Sequence, residues 1–372
     1  MRALLVDPDA PAGLRLGTAP DPEPAPHQAL VRVAATSLNY GEVASVLPGA
    51  APGAVLGWDA AGHVERAAAD GSGPPVGTPV VTLGEAGGWA ELRAVDTGFM
   101  GAVPDGADLG AISTIPVAGA SALRALHRVG PLLGRRVLVT GATGGVGRYA
   151  VQLARRGGAY VVASTGDPGA RSESLRALGA HAVVGDPEEV DVPLDGVVDL
   201  VGGRQLVSAY EKLAEGGVLV AVGHSGGDDE HFAHGVLYGD QGRHDRAIVS
   251  FFLLGCAGLG RDLAWLAGEV AAGRLDAGEV WRGPWGTPGR RCRRCGGGGC
   301  MGRRCWRWGR GALRGFPQSR PFPKPGLRPW PPGVGVPWRV GRSSAGSALR
   351  ASSSNAGRAE NFAGVGRRVT AG

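Results

Sequence analysis

Along the first 115 positions apolar residues come in short runs broken by Pro and Gly: ALLVD, ALVRVAATSLN, AAGHVERA, GTPVVTL and WAELRAV. Runs of this length between turn residues predict the strands of a compact β-rich domain. From Leu109 the spacing becomes helical in GAISTIPVAGASALRALHRV, and beyond it strand and helix alternate. RRVLVTG, AYVVAST, AHAVVG, VVDLVGG and VLVAVG read as strands. Val146 to Arg156, Arg171 to Leu178 and a stretch through Tyr210 and Leu213 read as helices. Strands separated by helices need crossover connections, and hence a parallel sheet. After IVSFFLL one more amphipathic helix, Leu259 to Ala272, is predicted, and RLDAGEVWRGPW should re-enter the first domain. From Gly286 onward neither a strand nor a helix period persists.

Charge sharpens that break. The 372 residues carry a formal net charge of +6, but it is unevenly placed. Up to Trp285 there are 21 basic and 32 acidic side chains, a net of −11, whereas Gly286 to Gly372 holds 18 basic residues against the one acid Glu360, a net of +17. The basic surplus belongs to the tail and does not make the whole protein a nucleic-acid binder. No run of about 18 apolar residues occurs, so no membrane partner is expected. MRALLV is followed at once by Asp7, Pro8 and Asp9, unlike a signal peptide. With no Cys before Cys256, the expected location is the cytoplasm. Cys256 is expected to be a buried core thiol, and His231 and His234 to be solvated in a Gly- and Asp-rich loop.

Candidate chemistry begins at VLVTGATGGVGRYAVQLAR. The strand Val137 to Thr140 runs through Gly141 into Ala142, Gly144, Gly145, Val146 and Gly147, and straight on into a helix. That order lets the backbone approach a pyrophosphate held on the N–H groups of a helix N-terminus, where a Cβ at Gly144 would obstruct it. The next strand ends in Ala163-Ser164-Thr165-Gly166, where an NAD enzyme presents an acid to the ribose. Ser164 and Thr165, with Arg171 beyond, suit a 2′-phosphate, so NADPH is the expected cofactor. NADH stays open if Asp167 is the acid and Ser164 only caps a turn.

Five ordered motifs, SLNYGEV at 37–43, GWDAAGHVE at 57–65, IPVAGASALRAL at 115–126, GATGGVG at 141–147 and DLVGG at 199–203, resemble the medium-chain dehydrogenase/reductase superfamily over about residues 1–285. The resemblance is to its zinc-free quinone oxidoreductase (zeta-crystallin-like) and enoyl reductase branch. It implies an α/β fold with a GroES-like β-rich catalytic domain (1–115) and a Rossmann doubly wound parallel-sheet cofactor domain (116–273), followed by an incomplete return segment (274–285). Zinc members carry a Cys in the first motif and Gly-His-Glu in the second. Here Asn39-Tyr40 and Gly57-Trp58-Asp59 stand there, and zinc needs thiolate or imidazole ligands, so no zinc or other metal is expected.

By the same resemblance Tyr40 would donate a hydrogen bond to a carbonyl oxygen as enolate charge develops, unless it is a packed aromatic, and Asn39 would orient substrate or the cofactor amide. Ser121 stands where the family usually has Thr beside the nicotinamide. Gly202, Gly203, Gly223 and the Val222 to Ser225 turn would line the cleft, and Phe251 and Phe252 would close over the nicotinamide unless they are core. The implied activity is NADPH-dependent reduction of quinones or α,β-unsaturated carbonyls, with a stand-alone enoyl-thioester reductase as the alternative and a homodimer as the family's common form.

Cys292-x-x-Cys295, Cys300 and Cys305 look like a zinc knuckle. A different origin is expected, because residues 286–372 contain no Ile, Tyr, Asp or His and are rich in Arg, Gly, Pro and Ser, as off-frame reading of G/C-rich DNA gives. Taking the last base of each codon with the first two of the next, Met301 to Trp308 can be read as Gly-Lys-Ala-Val-Leu-Glu-Val, which resembles this family's closing strand. The expectation is a frame change near Gly283 to Gly286, a missing closing strand and a disordered, out-of-frame basic tail. The competing outcome of another class is a non-catalytic, misfolded product whose tail clings to nucleic acid. Resequencing the gene across codons 275 to 310 should reveal an inserted or deleted base; one continuous frame, with homologous tails in other proteins, would contradict the expectation.

Overall fold

The chain pairs antiparallel from its second residue: β1 (Arg2–Val6) and β2 (Leu14–Thr18) form a hairpin. The computed structural model describes residues 1–240, 242–278, 281–284 and 304–307. Five strands follow: β3 (Gln28–Ser37), β4 (Asp59–Arg66), β5 (Pro79–Leu83), β6 (Leu92–Asp96) and β7 (Met100–Ala102). β3, β4, β5 and β7 lie side by side, all antiparallel, with β6 paired to the first half of β3. Successive side chains point to opposite faces: Val31 and Val33 of β3 are buried on one face, whereas Val80 and Val81 of β5 are buried on both.

A short turn of helix, α1 (Leu109–Ile112), leads into α2 (Ile115–Val129), where the pattern changes. From there β8 (Arg136–Val139), α3 (Gly145–Arg156), β9 (Tyr160–Ser164), α4 (Pro168–Ala177), β10 (Ala182–Val184), β11 (Leu194–Asp199), α5 (Gly203–Glu211), β12 (Leu213–Ala221), β13 (Ala247–Ser250) and α6 (Leu259–Ala271) build a six-stranded parallel sheet in the order β10-β9-β8-β11-β12-β13. The strand order reverses between β8 and β11. In open parallel sheets that reversal opens a crevice at the carboxyl ends of the strands, where ligands bind.

One core joins the two sheets. Val81 and Leu83 of β5 cluster with Ile115 and Leu126 of α2 and with Leu263 and Leu266 of α6. At Gly101 a Cβ would come within 2.4 Å of the Ala264 nitrogen, so α6 rests on bare backbone of β7. After α6 the chain is clamped to α3: Gln152 donates to the Asp276 carbonyl at 3.0 Å and accepts the Asp276 N–H at 2.7 Å. Among the described residues no helix is long and apolar enough to cross a membrane.

Three expectations shift. Leu213 opens β12 and pairs with Leu194, instead of ending a helix. β13 stops at Ser250, so Phe251 and Phe252 lie beyond the strand; Phe252 is 62% exposed and Phe251 half-buried beneath the Arg128 guanidinium, so neither is a core strand residue. The third concerns the tail. Residues 281–284 form β14 (Trp281–Pro284) and residues 304–307 form β15 (Arg304–Arg307), which is parallel to β14 and antiparallel to Ala35–Ser37 of β3. A strand therefore occupies the edge of β3 that was expected to be left open, at residues whose second frame reads Val-Leu-Glu. Ladder bonds use backbone groups alone, so an exposed strand edge accepts extended chain of almost any composition. The Cys292, Cys295 and Cys300 cluster and the rest of the tail lie outside the described residues.

Candidate functional site

The phosphate-loop geometry follows from three glycines. Gly141 turns the chain at φ +55°, Gly144 is extended where it caps α3, and Gly147 lies so close to the loop that a Cβ would stand 2.5 Å from the Gly141 carbonyl oxygen. Ala142 donates its N–H to the Ser164 carbonyl at 3.0 Å, fixing the loop to the end of β9. No side chain caps α3, so the N–H groups of Gly145 and Val146 stay available at the positive end of the helix. These residues fit the pyrophosphate of a dinucleotide.

Across the crevice, Asp199 ends β11. Its carboxylate accepts from the Thr140 hydroxyl at 2.6 Å and from the Gly202 N–H at 2.9 Å. Burial holds this acid above the ordinary value, opposed by those hydrogen bonds. Gly202 (φ +74°) is the residue just before α5, and a Cβ there would lie 2.2 Å from His224 Cδ2. Glu230 accepts the Gly203 N–H at 2.8 Å and pairs with His224 at 3.0 Å. Gly202, Gly203, Gly223 and the Val222 to Ser225 turn thus lie together beside the phosphate loop. At the expected ribose corner Ser164 and Thr165 are buried while Arg171 is half-buried; the Ser164 hydroxyl has no partner among the described residues. The Asp167 carboxylate accepts the Ala170 N–H at 3.0 Å, capping α4. Of the three residues expected at the 2′-phosphate, Arg171 alone reaches solvent.

Beneath Asn39 and Tyr40 lies a buried polar cluster that the sequence did not single out. Asp59, Glu42 and Arg93 are at most 1% exposed. One Asp59 oxygen accepts from the Ser37 hydroxyl at 2.7 Å and the Asn39 amide at 3.0 Å; the other accepts the Val117 N–H of α2 at 3.0 Å. Glu42 accepts the N–H of Asn39 at 2.7 Å, the Asn39 amide at 2.8 Å and the Trp58 N–H. Arg93 donates to the Thr82 hydroxyl at 3.0 Å, and burial lowers it to about 10. Burial, followed by the Asp59 charge, pushes Glu42 up to about 8 against the donors from Trp58 and Asn39.

This frame holds Asn39 with its amide nitrogen occupied and its amide oxygen buried without a partner among the described residues. Tyr40 stands on it 43% exposed, so it is presented to solvent and is not a packed core aromatic. The edge of the Trp58 ring covers Gly41, where a Cβ would lie 3.0 Å from the indole. Ser121 sits about one turn beyond Val117 on α2, 4% exposed. The signal that could have found the cluster is two acids, Glu42 and Asp59, set among apolar neighbours inside the two motifs. Cys256 is buried as expected, but spatial packing brings it the charged partner that the local sequence lacks, with Arg128 Nη2 at 3.3 Å.

Residues 25–105 match the alcohol dehydrogenase GroES-like domain, and residues 145–256 match the zinc-binding dehydrogenase family. The chain is 31% identical to YhfP of Bacillus subtilis, which carries the name of a quinone oxidoreductase, over 267 residues covering 65% of this chain and 75% of that protein. It is 28% identical to an acryloyl-coenzyme A reductase of Sulfurisphaera tokodaii over 262 residues, 60% of this chain and 77% of that one. In fold it matches the yhdH oxidoreductase from Salmonella enterica, solved in complex with NADP, at a TM-score of 0.67 and 21% identity, covering 82% of this chain and 99% of the other. The chain belongs to the medium-chain dehydrogenase/reductase superfamily, in its quinone oxidoreductase and enoyl reductase branch, an oxidoreductase family whose fold holds a nicotinamide cofactor.

The zinc of the matched family's name does not fit here. Asn39 and Trp58 offer neither thiolate nor imidazole, and the carboxylates of Glu42 and Asp59 already accept from N–H and O–H donors.

Because Glu42 holds a proton in the folded chain that it releases when unfolded, its contribution to stability is complete below its unfolded value of 4.5 and declines as pH rises toward about 8. Glu42→Ala should lower the thermal midpoint, since it orphans the Trp58 and Asn39 donors at about 1–3 kcal/mol each. It should also remove part of the wild-type decline in midpoint between pH 5 and 9. Midpoint curves of identical slope in wild type and variant would contradict the assignment.

Proposed function

We propose that the chain is a zinc-independent, NADPH-dependent reductase of quinones or α,β-unsaturated carbonyls. The observation that carries this is the presentation of an exposed Tyr40 phenol on a buried frame that offers neither thiolate nor imidazole and whose carboxyl oxygens are engaged with hydrogen-bond donors. When bound, the nicotinamide supplies a hydride to the β-carbon of the acceptor. This chain must then stabilise negative charge on the carbonyl oxygen, and a phenol hydrogen bond strengthens as that charge grows. Glu42 and Asp59 fix the Asn39 loop, so Tyr40 is presented by a rigid support. The Asn39 amide oxygen, buried and unpartnered, is placed to accept from an amide N–H of substrate or cofactor.

NADPH is preferred because the corner after β9 offers the half-buried Arg171 guanidinium while Asp167 is engaged in capping α4. A second substrate class, enoyl thioesters, is favoured by the acryloyl-coenzyme A reductase among the relatives.

Purified protein should oxidise NADPH with an enone or quinone, and turnover should survive a strong chelator. Tyr40→Phe should lower kcat by roughly 10²-fold with little change in NADPH affinity. Loss of activity on chelation, or an unchanged kcat in the variant, would count against the proposal; comparing an enone with a crotonyl thioester separates the two substrate classes.

A further inference from the structure

Away from the cleft, α3, α4 and the chain leaving α6 enclose a groove of about 420 Å³ whose walls carry the guanidinium groups of Arg148, Arg155, Arg156 and Arg274. Two acids meet them. Glu269 takes Arg156 at 2.6 Å and Arg274 at 2.8 Å, and these hydrogen bonds, chiefly that from Arg274, hold it down to about 2. Asp276 takes Arg148 at 2.8 Å. Four positive charges on the groove walls are thus set against two negative ones, Asp276 in the lining and Glu269 paired with Arg156 and Arg274.

Arg155 is the unmatched member. Its Nη1 lies 2.5 Å from His181 Nε2, while His181 Nδ1 faces the Val161 backbone N–H at 2.9 Å. A neutral imidazole has one N–H and one lone pair, so it can answer only one of two donors. Whichever nitrogen carries the proton, a neutral ring supplies no negative charge, so the positive charge of Arg155 stays uncompensated. Burial, then the Arg155 charge, holds His181 below the usual histidine value, so the ring stays neutral and adds no charge of its own. Among the described residues no carboxylate pairs with Arg155.

We propose that this groove is a second anion site that takes a small phosphorylated molecule, anchored on Arg155 and flanked by Arg274 and Arg156. The excess of two positive charges matches a phosphate monoester dianion or pyrophosphate, and planar guanidinium groups bind such oxygens in pairs. The volume lies within the ~300–1,000 Å³ of small-ligand clefts. None of these residues belongs to the phosphate loop Ala142–Gly147, so the site is additional to the cofactor crevice and does not depend on the reductase reading.

Isothermal titration of pyrophosphate into the full chain at low salt, with excess NADPH present to occupy the phosphate loop, tests this. Saturable binding that weakens as salt rises is expected. Arg155→Gln should weaken it about tenfold, the equivalent of one charge-assisted hydrogen bond, and Arg274→Gln should weaken it independently. Both side chains are exposed, so both variants should fold and keep their NADPH affinity; Arg155→Gln should leave the melting curve unchanged, whereas Arg274→Gln also gives up two hydrogen bonds to Glu269 and should lower the midpoint. Binding that is absent in the wild type, or equally tight in both variants, would overturn the proposal.

Discussion

The carboxylate of Asp59 is the constraint on which the rest of the site depends. One oxygen gathers the Ser37 hydroxyl and the Asn39 amide within the first sheet, and the other reaches the Val117 N–H, which lies on the helix that opens the parallel-sheet region. A single buried acid thus fixes the Tyr40 loop and also ties it to the element that carries Ser121. A buried carboxylate is tolerated only when its oxygens are answered. That requirement explains why polar groups from three separate stretches, Ser37 to Glu42, Trp58-Asp59 and the Val117 backbone N–H, meet at one point.

Asp199 plays the matching part on the other side. It accepts from Thr140 and Gly202, so the end of β8 and the start of α5 are held across the place where strand order reverses. The phosphate loop and the glycine turn after β11 therefore face each other with little freedom. Both acids sit at strand ends whose preceding residues are apolar, and both act by satisfying backbone and hydroxyl donors of neighbouring segments.

The glycine loop and the alternation of strands and helices were legible in the sequence because each depends on local spacing. Gly147 needs no tertiary knowledge: strand, glycines and helix occur in order. The acid cluster was not legible, because Glu42 and Asp59 are 17 residues apart across the segment that leads into β4 and meet Arg93 only through the sheet register. Burial of Ser164 was missed for the same reason, since residues at the end of a central strand can face either the crevice or the packed layer. The tail was misjudged at four residues, where backbone pairing to β3 overrode side-chain pattern.

The central account is hydride transfer from a nicotinamide to an acceptor polarised by protein hydrogen bonds alone. It is tested most directly with metal-stripped protein, 4-deuterated NADPH and a simple enone. Deuterium on the β-carbon of the product, at a rate unaffected by metal removal, is the predicted result. Product without deuterium, or turnover restored only by added zinc, would contradict it.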